Sequence, residues 1–183
     1  ATKCINTDCI VSLEAAETGA LVVNEILVDP LGLDAQLEWF EVYNPGAAPV
    51  DMSGWKIRDC AVLEVTLPEG AAPVIPPKGY AVFGPEGDPA VNGGVTVDFV
   101  YSGEAFYLPN TEGSILLFDH TGKLVDQVRF ASFGGWPHQT GASLELADPG
   151  ADNTMPTSWA TASTTYGPTD NKGTPGEKNS ASQ

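Results

Sequence analysis

The stretch ALVVNEILVD, residues 20–29, is crowded with β-branched side chains and stops at Asp29-Pro30. Such a run favours an extended chain, and an aspartate followed by proline opens a turn. The same unit, a short apolar run closed by glycine, proline or a polar turn, recurs as LEWFEVYN (37–44), WKIRD (55–59), LEVTL (63–67) and PPKGYAVFG (76–84). It continues as VTVDFVYS (95–102), SILLFD (114–119), KLVDQVRF (123–130) and ASLELA (142–147). No segment keeps a helical period over three turns, so the chain is held to many short strands joined by turns. The 20 glycines and 15 prolines among 183 residues favour the same outcome. The reading is an all-β domain whose short strands form a sandwich.

Local patterns sharpen this. LEWFEVYN alternates, with Phe40 and Val42 on one face and Trp39, Glu41 and Tyr43 on the other. WKIRD and LEVTL read as a hairpin, and His120-Thr121-Gly122 as a tight turn between two strands. Two ends stand apart. Residues 1–19 form an N-terminal extension with one alternating piece, CIVSLEA (9–15), which places Cys9, Val11, Leu13 and Ala15 on a shared face. Beyond residue 148 strand signal fades, yet Trp159 and Tyr166 remain, and disordered tails are poor in such rings. Residues 20–183 are therefore read as one sandwich that includes a closing C-terminal loop.

Charge narrows the partners. With 24 acidic against 8 basic residues the formal net charge is −16, which opposes phosphate backbones and anionic membrane surfaces. Nucleic acid is excluded as a partner on this ground, and no run of about 18 apolar residues is present to insert in a membrane. The start, ATKCINTDC, lacks a charged-then-apolar leader and is compatible with a mature end left by signal cleavage. Cys4, Cys9 and Cys60 are the cysteines, an odd number, with Cys4–Cys9, Cys4–Cys60 and Cys9–Cys60 all open as disulfides.

The run VVNEILVDP…LEWFEVYNPGAAPVDMSGWKIRD resembles the bacterial lamin-tail domain, the immunoglobulin-like module also found at the end of nuclear lamins. The elements in order are Asn24-Glu25, Glu41-Val42-Tyr43-Asn44, the turn Pro49 to Trp55 with Asp51, Ser53 and Gly54, and the closing Gly173-Thr174-Pro175-Gly176 ending at Asn179. The resemblance spans about residues 20 to 179. It implies an all-β fold, an immunoglobulin-like antiparallel β-sandwich whose last loop, DNKGTPGEKN, is fixed to the body. It also implies a non-catalytic module of secreted or surface proteins. Physical chemistry agrees locally, since Asp51 and Ser53 bond nearby backbone, Gly54 permits the turn, and Asn44 and Asn179 satisfy loop groups.

Candidate sites are few. Glu25, Glu38 and Glu41 are the carboxylates a glycosidase would need, but structural pairing is favoured, with Lys56 or Arg58 as ion partner of Glu41. His120 and His138 lack a ligand pattern, and no Gly-x-Ser-x-Gly elbow occurs. The acidic turns offer a weak calcium signal at Asp148, Asp152 and Asn153 and at Asp170 and Asn171, without EF-hand spacing. Three functions follow: a secreted structural or adhesive module near a bacterial surface, binding protein or surface glycan; a subunit assembling with copies of itself through the N-terminal segment or a disulfide; and, least favoured, a glycan hydrolase.

Overall fold

A computed structural model describes residues 21–182. The order along the chain is β1 (Val22–Leu27), a single helical turn α1 (Asp34–Leu37), β2 (Trp39–Tyr43), β3 (Val50–Asp51), β4 (Lys56–Arg58), β5 (Glu64–Thr66) and β6 (Val74–Ile75). It continues with β7 (Tyr80–Gly84), β8 (Phe99–Val100), β9 (Glu112–Phe118), β10 (Leu124–Ala131), β11 (Leu144–Leu146) and β12 (Trp159–Thr161). A six-stranded sheet in the order β12-β11-β1-β2-β7-β8 packs on a four-stranded sheet, β10-β9-β4-β5, and β3 pairs β6 in a small third ladder. This is the β-sandwich that the strand pattern implies, and the immunoglobulin-like one that the resemblance implies.

Alternation decides what each strand buries. Ile26, Phe40, Val42, Phe83, Leu144 and Leu146 of the larger sheet meet Ile57, Ile115, Leu117, Val128 and Phe130 of the smaller one in a single core. Phe40 is its centre, stacked on Phe83 at 4.9 Å between ring centroids and edge-on to Phe106 at 6.0 Å. Aromatic pairs in such geometries add to the burial that drives the layers together. Trp55 enters this core just after Gly54, whose φ of +75° is open to glycine and strained for other residues.

The hairpin β4–β5 forms in the register Ile57↔Val65, and Leu124↔Phe118 closes the turn at His120. Three expectations are corrected. VTVDFVYS is mostly loop, and its paired piece Phe99–Val100 runs parallel to β7, the one parallel pairing between the named strands. The chain after β7 makes a long excursion and returns to that edge travelling the same way. Arg58 and Lys56 do not reach Glu41. They lie in the opposite sheet and pair with Glu64 at 2.7 and 2.9 Å, across the β4–β5 hairpin. Finally, the region after residue 148 supplies a strand: Trp159 starts β12, which pairs β11 in the register Leu146↔Trp159. The alternating piece 9–15 lies outside the described residues.

Phe40→Ala removes the ring at the centre of the core, and should lower unfolding stability by about 3–5 kcal/mol. Urea denaturation followed by tryptophan fluorescence measures this, with an unchanged m-value expected.

Candidate functional site: a carboxylate row under the C-terminal strap

Antiparallel register sets Glu25 opposite Glu41 on one side and opposite Glu145 on the other. The three side chains therefore stand in a row across β11, β1 and β2, on the face turned away from the core. All three are 0% exposed. Paired positions in such ladders lie about 4.5–5.5 Å apart, so like charges here would repel strongly. No basic side chain answers them in the hydrogen bonds and ion pairs of the described residues. Most of the donors come from the C-terminal segment, with Ser143 and Asn24 adding to them.

That segment, residues 172–181, crosses the row as a strap. Thr174 donates its N–H to Glu25 Oε1 at 2.8 Å, and the Ser143 hydroxyl donates to the same oxygen at 2.5 Å. The Gly176 N–H donates to Glu41 Oε2 at 2.6 Å, while Asn24 Nδ2 serves Oε1 at 2.8 Å. Glu145 Oε2 accepts from the Ser180 hydroxyl at 2.8 Å and from the Ala181 N–H at 2.7 Å. Asn179 finishes the closure. Its Nδ2 donates to the carbonyls of Asn24 and Leu146, both at 3.0 Å, where the β1–β11 ladder runs out of its own partners. Gly173 is needed for approach: a Cβ there would sit 2.9 Å from both Glu25 Oε1 and Trp39 Cζ2.

One contact fixes a proton. Thr174 Oγ1 lies 2.8 Å from Glu25 Oε2 and 3.1 Å from Glu145 Oε1. A hydroxyl has one hydrogen to give, so it can donate to only one of the two. A proton on one of the two carboxyls completes the bridge. The environment agrees: burial, opposed by the bonds from Ser143 and Thr174, pushes Glu25 up to about 7. Burial first, then the neighbouring Glu25 charge, pushes Glu41 up to about 9. Two further carboxyls behave alike. Burial raises Glu38 to about 8, with its Oε1 accepting from the Leu108 N–H at 3.2 Å. Burial raises Asp126 to about 6, and its Oδ2 ties the two sheets together by accepting from the Val23 N–H at 2.7 Å.

Above the row, towards one end of the sheet, Leu27, Trp39, Val82 and Val95 form a small second apolar cluster. Tyr166 seals it, its hydroxyl accepting from Trp39 Nε1 at 3.0 Å. Below the row, a β-bulge between Val23 and Glu25 brings Asn24 to this face, beside Tyr43 and Tyr80.

The motif residues named from sequence mostly hold the frame. Asn44 Nδ2 donates to the carbonyls of Ala48, Ile75 and Pro76, and Asp51 Oδ1 accepts from the Ser53 N–H at 2.8 Å. Glu25, Glu41, Asn24, Gly173, Gly176 and Asn179 are brought together at the strap, and Pro175 lies within it. Glu145 and Ser143 complete the site and were not singled out, and Thr174 was named only as part of the closing turn. The signal was present: alternation in LEL puts Glu145 on the side opposite Leu144 and Leu146.

The acidic-turn residues are dispersed in their bonding. Asp148 Oδ1 accepts from the Gly150 N–H and Asp152 Oδ1 from the Thr154 N–H, each within its own turn. Asn153 turns inward, donating to Asp126 Oδ2 at 2.8 Å. Asn171 Oδ1 holds the Leu31 N–H at 2.7 Å, and Asp170 is exposed. Among the described residues no cluster of three or more His, Cys, Asp or Glu is arranged to hold a metal ion. Cys60 lies after β4, its N–H donating to Ser114 Oγ at 2.8 Å, while Cys4 and Cys9 lie outside the described residues.

Residues 14–132, well over half of the chain, match the Lamin Tail Domain family. The chain belongs to that family. A comparison with curated proteins returns no match. The match ends at β10, so β11, β12 and the strap that closes the carboxylate row lie beyond it.

The raised carboxyls fix the sign of the pH response. A group held above its unfolded value binds its proton more tightly when folded, so its contribution is full below about 4.5 and is lost as pH climbs through its folded value. Stability should fall between pH 5 and pH 9, on the order of 2 kcal/mol or more. Urea midpoints across that range test it, and Glu41→Gln should flatten the slope while costing about 1–3 kcal/mol at pH 5.

Proposed function

We propose that this lamin-tail domain is a non-catalytic extracellular module, structural or adhesive, that works on or near a bacterial surface. The observation that carries the reading is the state of its carboxylates. Glu25 and Glu41, which with Glu38 form the set nearest to a glycosidase pair, lie at 0% exposure, their oxygens occupied by backbone and side-chain donors of the strap and Asn24. A catalytic carboxyl must reach its substrate, and these close a fold instead. Glu38 is 5% exposed and bonded to the Leu108 N–H. Strong net negative charge suits a soluble protein in an open, salt-containing medium and keeps copies apart. A disulfide from Cys60 to Cys4 or Cys9 belongs to the same proposal, since such bonds persist outside the reducing cytosol.

The test uses the whole chain. Mixed with isolated bacterial envelopes, it should sediment with them and release no reducing sugar. Light scattering under non-reducing conditions should give a mass near 19.1 kDa, that of a single chain. Sugar release abolished by Glu38→Gln would make it a hydrolase. A much larger mass that falls with reductant would make it an assembly subunit instead.

A further inference from the structure

We propose that the outer face of the six-stranded sheet carries a binding recess for a neutral saccharide, lined by Tyr43, Tyr80 and Asn24 and walled by Asp148, Lys178 and Asn179. This deepens the adhesive reading above and rests on it only for the setting in which the sugar is met. The recess measures about 610 Å³ and lies between the sheet, the loop after β11 and the end of the strap. It is the third band of that face, beside the apolar cluster and the carboxylate row, and the strap does not cover it.

Tyr43 and Tyr80 face each other across β2 and β7 in register. Their ring centroids are 5.0 Å apart with planes inclined by 33°, and both rings are only half-buried. Two adjacent, partly exposed tyrosines on a sheet face present an aromatic surface with hydroxyls at its edge. Burial pushes the Tyr80 hydroxyl up to about 12, so it keeps its proton and stays a donor.

Asn24 gives the independent observation. It is 2% exposed, and its Nδ2 makes both of its side-chain bonds, to Glu41 Oε1 and Asn179 Oδ1. Its Oδ1 accepts from no group among the described residues, and the residue lines the recess. That oxygen is not sealed from solvent, and on the side of the recess it is open to accept from what enters. On the opposite wall Asp148 spends Oδ1 on the Gly150 N–H, leaving Oδ2 without a hydrogen bond, and Lys178 makes no ion pair among the described residues.

The chemistry of this lining selects its occupant. A pyranose offers an apolar C–H face to the rings and, around its edge, hydroxyls that both donate and accept. Asn24 and Asp148 accept, while Lys178 and the tyrosine hydroxyls donate. An anionic ligand would meet Asp148 and a protein of net charge −16. A peptide adding as a strand needs an open ladder edge, whereas this recess lies on a sheet face between loops.

Saturation-transfer NMR and titration calorimetry of the full chain with maltohexaose, cellohexaose and linear mannohexaose test the idea, with heparin as the polyanionic comparison. At least one neutral probe should bind, and Tyr43→Ala and Tyr80→Ala should each weaken it roughly tenfold. Tyr80→Phe, which keeps the ring, should retain most of the affinity and shows that the site still folds. Failure of all three neutral probes, binding of heparin alone, or affinity unchanged in both alanine variants overturns the proposal. Envelope binding that persists in Tyr43→Ala would leave the adhesive reading standing and sink the recess.

Discussion

Backbone amides meeting buried carboxylates are the constraint on which the outer half of this molecule depends. The register of β11, β1 and β2 leaves no choice about the row, because side chains at paired positions must share a face. Three carboxyls side by side and out of water cost a great deal unless donors reach them or protons neutralise them. The strap does the first through Thr174, Gly176, Ser180 and Ala181, and burial favours the second on Glu25 and Glu41. Row and strap therefore form together. Without the strap the row would be solvated and charged. Without the row the strap would have few partners for its amides, and Gly173 and Gly176 would leave it loose.

The same device appears once more between the layers. Asp126 on β10 reaches across to the Val23 N–H, close to the bulge that displaces Asn24. A single buried side chain thus satisfies a backbone donor that the ladder leaves over, and also receives Asn153 from the loop before β12. The cost of burying Asp126 is met by bonds that tie the sheets to the C-terminal third. In both places the domain spends a carboxylate to fix a segment that has little apolar surface of its own.

The sequence made the frame legible because its signals were local. Alternation in LEWFEVYN set Phe40 and Val42 on one face and Trp39, Glu41 and Tyr43 on the other, and the first pair lies in the main core while Trp39 lies in the second cluster. Trp159 and Tyr166 marked the tail as packed, and both rings are seated, one in β12 and one on Trp39. What stayed hidden depends on contacts across long stretches of chain. Glu41 looked like an ion partner for Lys56 or Arg58, because adjacent runs in sequence suggest adjacent strands. The β2–β4 connection instead changes sheets, so those cations find Glu64 and Glu41 finds Gly176. Nothing in LEL or in Thr174 announces that they meet, and outward glutamates on alternating strands ordinarily read as solvated.

Asn24 joins the carboxylate row to the open recess, and this gives the row a second consequence. An amide side chain can turn either end outwards, and its partners decide which. Asn179 Oδ1 can only accept, so it claims Nδ2, which also serves Glu41 Oε1, and Oδ1 is left for the recess. Asn179 is in turn held by the carbonyls of Asn24 and Leu146, which accept from its Nδ2 and so fix which way its own amide points. The polarity of the recess is thus dictated from beneath, by a residue of the strap that no ligand need touch. Closing the tail and presenting an acceptor at the surface are one arrangement of hydrogen bonds, so a change that unseats the strap also unmakes the recess beside it.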